Sequence, residues 1–214
     1  MLGNLMHPDA YAILAAPHSA DIKIKGSRFL ALAFPVGGEE EAESIRSRLE
    51  DEHKGASHYC WALRLGSPEQ LLERNSDDGE PAGSAGAPMA RALHSSGLSD
   101  LLVVVIRWFG GTKLGVGGLI RAYGEAAALS LADAERGERM QNRGLTGILP
   151  FEFEGDLRAL LARYEGRIRK LNYREEGFQI DLELPASLAE TLKENVRNLS
   201  RGRHELLDLE ESGP

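Results

Sequence analysis

The sequence predicts an α+β fold arranged as two domains that meet near residue 140. Three observations carry this. The run Leu101–Ile106 is aliphatic on both faces and rich in valine, which marks a strand buried in mid-sheet. A glycine-rich segment follows it directly and leads into apolar residues at helical spacing. Beyond Gln141 the hydrophobic pattern alternates between strand and helix spacing in the order β-α-β-β-α-β, the split-βαβ or ferredoxin-like pattern.

Residues 1–10 read as a loose lead-in. Short strands are expected at Tyr11–Ala15, Asp21–Lys25 and Arg28–Val36. In the second, Ile22 and Ile24 alternate with Lys23 and Lys25. Gly26-Ser27 has hairpin length. Glu39–His53 is expected as a helix, with Ala42, Ile45 and Leu49 on one stripe and glutamates in the first turn, where the helix dipole favours them. Ala56–Leu65 reads as a strand, and residues 66–84 as a long polar connection. A short helix is expected at Pro88–Ser96, with proline in its first turn. After the central strand, a helix is expected from near Gly117 to about Arg136. Gln141–Gly144 reads as a connector. The second domain then reads as strand 145–153, helix 156–164, strand 166–173, turn 175–177, strand 178–184, helix 186–199 and strand 203–209. Domain limits of 1–140 and 141–214 follow.

The net charge of −8 argues against a general nucleic-acid or membrane binder, although a local basic patch remains compatible with it. The single cysteine, Cys60, excludes an internal disulfide and a multi-cysteine zinc site. The N-terminus lacks the charged and apolar regions of a signal peptide, and no run has membrane-spanning length, so a cytoplasmic protein without membrane contact is expected.

The chemistry concentrates in residues 97–124. Gly110, Gly111, Gly115, Gly117 and Gly118 lie between the central strand and the next helix. Strand, glycine loop and helix aim free backbone N–H groups at an anion. Arg107, Lys113 and Arg121 supply positive charge. The spelling is neither a Walker loop, since Lys113 is followed by Leu114, nor a dinucleotide loop, since position 120 is Ile120. On the glycines alone, a tight turn and close helix–sheet packing is the commoner explanation. Upstream, Asp77, Asp78 and Glu80 could hold a divalent cation, form an ordinary acidic turn, or pair with Arg107 or Lys113 and brace the loop. His58 and Cys60 share a strand face, and a buried thiol beside a satisfied imidazole explains them better than a zinc or nucleophile pair. In the second domain Arg163, Arg167, Arg169 and Lys170, with nearby tyrosines, form a possible secondary basic surface for RNA; the alternative is a solvated face.

The segments SDDGEPAGSAGAP and RWFGGTKLGVGGLIRAY, with KGSRFLA and SHYCWALRLG before them, resemble the IMPACT/YigZ family over residues 11–209. Trp108 stands where the family commonly has tyrosine, Ser84 at a frequent threonine position, and Ala87 at an often basic one. The resemblance implies an amino-terminal ribosomal protein S5 domain 2-like fold and a ferredoxin-like carboxy-terminal domain similar to one in elongation factor G. It also implies a non-enzymatic, translation-associated binding protein whose partners are RNA, the ribosome or a translation factor, with no cofactor. Eukaryotic relatives regulate translation initiation under nutrient stress and carry an RWD domain that these 214 residues lack. Two other readings stand beside it: an enzyme acting on a phosphorylated small molecule with a cation, and a protein–protein module anchored by Trp108 and Phe109.

Overall fold

The computed structural model describes residues 7–209. The lead-in expected over residues 1–10 lies outside the described residues for residues 1–6. The chain divides into two compact units, one of residues 11–139 and one joining residues 7–10 to residues 140–209. Asp9 fastens residues 7–10 to the smaller unit, its carboxylate accepting the Ser187 backbone N–H at 2.9 Å and the Ser187 hydroxyl at 2.6 Å.

The larger unit is built on a five-stranded sheet. Its strands are β2 (His18–Ile24), β3 (Ser27–Pro35), β4 (His58–Leu65), β5 (Leu72–Ser76) and β6 (Leu101–Trp108). The order is β2-β3-β6-β4-β5, and each neighbouring pair is antiparallel. The aliphatic run sits at the centre, as its lack of a polar face requires. Leu101, Val103 and Val105 face one layer, with α2 (Gly86–Ser96) and α3 (Val116–Ala132). Leu102, Val104 and Ile106 face the other, with α1 (Glu39–Glu52). Each such side chain contributes about 1.5–3 kcal/mol when fully buried, so β6 anchors both cores. A two-stranded sheet pairs β1 (Ala10–Leu14) with β7 (Arg136–Met140).

The second unit runs β8 (Asn142–Leu149), α4 (Glu154–Arg163), β9 (Arg167–Arg174), β10 (Gly177–Pro185), α5 (Ala189–Leu199) and β11 (Leu207–Asp208). Its sheet order is β11-β8-β10-β9, again antiparallel. Phe178, Ile180, Leu182 and Leu184 of β10 pack against Leu157 and Leu161 of α4 and Leu192 and Val196 of α5.

Several elements differ from the sequence expectation. β5 lies inside the expected polar connection; its residues, Leu-Glu-Arg-Asn-Ser, form an exposed edge with no apolar alternation to betray it. The helix expected to run to about Arg136 stops at Ala132, and β7, an unexpected strand, starts at Arg136, with Gly137 against Ile13. Pro150 closes β8, and Phe151–Phe153 forms a 3-10 turn instead of continuing the strand. The last strand is only Leu207–Asp208.

Asp100 closes the larger unit at its two ends. Its carboxylate accepts the Tyr11 hydroxyl at 2.8 Å, an Arg139 nitrogen at 2.5 Å and the Gly66 N–H at 2.8 Å. Burial first, then the bond to Asp100, pushes the Tyr11 phenol up to about 12. An unfolded tyrosine titrates near pH 10, so the protonated phenol stabilises the fold fully below about pH 10. That contribution is lost as the pH rises toward about 12. Tyr11→Phe is therefore expected to lose stability less steeply across this range in urea melts; equal slopes for both proteins would refute the assignment.

Candidate functional site

The end of the sheet where β6 finishes gathers the β2–β3 turn, the acidic turn after β5 and the glycine loop. Strand alternation places Arg107 on the same face as Val103 and Val105, between Phe29 of β3 and His58 of β4. A guanidinium on that face is taken out of water and requires an anion. Glu80 supplies it. The two side chains are 6% and 4% exposed, and Arg107 Nη1 donates to Glu80 Oε1 at 2.5 Å. The same oxygen accepts the Tyr123 hydroxyl of α3 at 2.7 Å, and His58 Nε2 lies 3.8 Å from it. Phe29 meets the Tyr123 ring edge-on at 5.2 Å, and the Arg107 guanidinium lies over Phe29 and Phe109 at 5.5 and 5.6 Å.

The two aspartates are also committed. Asp77 accepts the backbone N–H groups of Gly83, Ala85 and Gly86 at 2.7–2.9 Å. Burial opposes its charge, but these three donors hold its carboxyl below the usual range. Asp78, at φ 43°, accepts the Tyr59 N–H at 2.5 Å, and its carbonyl accepts the His58 Nδ1–H at 2.7 Å. Cys60 is buried and donates to the Asp77 carbonyl at 3.0 Å. Burial pushes its thiol up to about 12, which removes it as a nucleophile near neutral pH. Tyr123 is likewise pushed well above its ordinary value, by burial first and then by Cys60 and Glu80. Among the described residues no three His, Cys, Asp or Glu side chains converge as metal ligands. The acidic turn is thus tied through Glu80 to the end of β6 and to α3, the two elements that flank the glycine loop.

The glycines do different jobs. A Cβ on Gly110 would stand 1.9 Å from the Gly26 carbonyl carbon, so the loop and the β2–β3 turn touch backbone to backbone. Gly110 also gives its N–H to Ser27 Oγ at 3.2 Å. Gly111 and Gly115 have φ of 83° and 70°, a region costly for side-chain-bearing residues. Gly117 and Gly118 follow Val116 in the first turn of α3, whose N-terminus has no side-chain cap. The N–H groups of that first turn are therefore left for solvent or a ligand. Lys113 and Arg121 are exposed and make no ion pair among the described residues. Phe109 and Val116 beside them are 51% and 52% exposed.

Two sequence expectations change here. Arg107 and Gly110 leave the set facing the open side of the loop, because one is spent on Glu80 and the other on Ser27 and Gly26. The second-domain basic group is also divided. Arg163 lies on α4 against Tyr164, while Arg167 and Arg169 converge on Glu183, which offsets their charge, and Lys170 sits opposite Asp181. Sequence reasoning missed Ser27 and Tyr123 as partners of the brace. Alternation along β6 was the available signal, since it buries Arg107 and so demands a nearby carboxylate.

The Impact N-terminal domain model matches residues 25–131, which contain the whole brace and loop. The IMPACT family member YigZ of Escherichia coli is 32% identical over 204 residues, covering 95% of this chain and all of that protein. An IMPACT family member of Haemophilus influenzae is 45% identical over 116 residues, 53% of this chain and 56% of its own length. A crystal structure described only as an hypothetical protein aligns over 95% of this chain and 99% of its own, with a TM-score of 0.71 at 32% identity.

Removing one member of a buried ion pair costs about 3–5 kcal/mol, whereas an apolar pair of similar volume is close to neutral. Glu80→Ala is expected to lose about that much in chemical denaturation, and Glu80→Leu with Arg107→Met to recover most of it. A small effect of Glu80→Ala would mean that Arg107 has another counter-ion. For Asp77, whose carboxyl is depressed on folding, the contribution holds above the unfolded value of about 4 and disappears as pH falls through the lower folded value. Asp77→Asn is therefore expected to flatten the acid limb of stability below about pH 4; an unchanged limb would remove the carboxylate from the brace.

Proposed function

The chain belongs to the IMPACT family, and from that premise we propose that it is a non-enzymatic, translation-associated regulator in the cytoplasm. Its glycine loop takes an anion, and the anion is the phosphate backbone of RNA, alone or within the ribosome. The observation that carries this reading is the uncapped first turn of α3, with Lys113 and Arg121 unpaired beside it. The binding set is Lys113, Arg121 and the backbone N–H groups of Val116, Gly117 and Gly118, with Gly111 and Gly115 shaping the loop. Asp77, Asp78, Glu80 and Arg107 hold it rigid, which lowers the ordering cost of binding.

The fold names belong to the same proposal. The larger unit is assigned a ribosomal protein S5 domain 2-like fold and the smaller a ferredoxin-like fold similar to an elongation factor G domain. The β11-β8-β10-β9 order around two helices supports the second assignment. Exposed Phe109 and Val116 favour one further reading, a translation-factor protein docking on the same edge.

Single-stranded RNA binding is expected to weaken with salt. Lys113→Ala with Arg121→Ala should reduce the slope of log K against log salt by about 1.4, at about 0.7 per lost phosphate contact. Fluorescence anisotropy over a salt series measures this. An unchanged slope would refute the RNA assignment. A rise in Tm with magnesium nucleotide and none with RNA would favour the enzyme reading, and binding that persists in high salt the protein-docking one.

A further inference from the structure

In the larger unit, α2 and α3 pack in one layer, and a hollow of about 410 Å³ opens along the seam between them. Pro88 and Ala92 of α2, with Gly124, Ala128, Leu131 and Ala132 of α3, give it an apolar lining. These positions recur at i, i+4 and i+7 or i+8, so each helix turns one face to the seam. The side chains are mostly small, and the helices come close at Gly124, where an added Cβ would stand 3.6 Å from Pro88. A long shallow seam between two helices matches the ridge of a third helix.

The charges in the lining decide the occupant. Arg91 and Arg136 both line the hollow, both are exposed, and neither makes an ion pair or a side-chain hydrogen bond among the described residues. Two serines complete the lining, so no carboxylate is part of it; Glu125, Asp133 and Glu135, the acidic residues nearest along α3, are not among its walls. A basic segment would meet two guanidinium groups with nothing to offset them. A single-stranded nucleic acid would find no aromatic ring to stack on. The lining also takes in the last residues of both helices, Ser96 and Ala132, whose carbonyl ends disfavour a compact phosphate dianion. Carboxylates on flexible side chains can reach the guanidinium groups from the rim instead.

We propose that the α2–α3 groove docks an acidic amphipathic helix of a partner protein. Its apolar side chains would lie along the seam, and glutamates or aspartates on its flanks would meet Arg91 and Arg136. Neither Lys113 nor Arg121 lines this groove, so it is a second surface and does not depend on the glycine loop binding RNA.

The test uses the full chain and three labelled probes: a designed helical peptide with leucine on one face and glutamate on its flanks, its leucine–lysine counterpart and oligouridine RNA. A chain of net charge −8 repels an acidic peptide at long range, so binding of that probe requires a local cationic site. Arg91→Glu with Arg136→Glu is expected to weaken the glutamate peptide about tenfold or more and to strengthen the lysine peptide. Ala128→Gln with Ala132→Gln changes two exposed positions, leaves every charge in place, and is expected to weaken the glutamate peptide about fivefold by making the seam polar. Failure of the unmodified chain to bind the glutamate peptide would overturn the proposal, as would an affinity that neither double variant changes. Peptide binding lost in Lys113→Ala with Arg121→Ala, but kept in the Arg91 and Arg136 variant, would place the site at the glycine loop and overturn it too. So would oligouridine binding that the Arg91 and Arg136 variant abolishes while the glutamate peptide is unaffected.

Discussion

The ion pair of Glu80 with Arg107 is the constraint on which the functional end of the larger unit depends. Arg107 closes the central strand on a face already filled by Val103 and Val105. Left alone there, its charge would cost several kcal/mol. Glu80 meets that charge with an oxygen that also accepts the Tyr123 hydroxyl from the first half of α3. Three stretches far apart in sequence, the acidic turn, the end of β6 and the long helix, thereby become one rigid piece. Ser27 extends it, since its hydroxyl lies 3.4 Å from Arg107 and accepts the Gly110 N–H. The pair need not be stabilising overall to do this. Each charge is destabilising without the other, which makes every arrangement that separates them unfavourable and so selects one loop geometry.

How much of this the sequence displays depends on whether the controlling contact is local. Leu101–Ile106 carries its own explanation, because six aliphatic residues fit only where both faces are covered. The Glu39–Glu52 helix is legible for the same kind of reason: its apolar stripe and acidic first turn agree. The strands β5 and β7 are not legible. Leu72–Ser76 and Arg136–Met140 are mostly polar and are strands because a neighbour offers backbone partners, which is information held elsewhere in the chain. The site divides along the same line. The acidic turn as a brace on Arg107 follows from charge and turn chemistry. The inward placement of Arg107 follows as well, from alternation along β6, but the use of Gly110 as a packing surface against Gly26 does not, because it depends on which turn lies beside the loop.

The glycine loop shows why a motif of this type is ambiguous from spelling alone. Glycine is required at Gly110 by a backbone contact, and at Gly111 and Gly115 by positive φ. Those needs exist whether or not anything binds. Gly117 differs, because a Cβ there would meet no atom closer than an Arg121 nitrogen at 3.9 Å. Nothing in the packing excludes a side chain at that position, and its φ lies outside the left-handed region. Within the loop, Gly117 is thus the glycine that packing and backbone conformation leave unexplained.

Charge distribution sharpens the distinction between the two units. The chain is acidic as a whole, yet many of its cations are consumed internally: Arg107 by Glu80, Arg139 by Asp100, Arg167 and Arg169 by Glu183. What a partner meets is set by the remainder, not by the total. At the glycine loop the remainder is Lys113 and Arg121 with an open helix N-terminus, which is positive. In the smaller unit Glu183 takes up Arg167 and Arg169, so the cluster of basic residues read from its sequence overstates the positive charge that it presents.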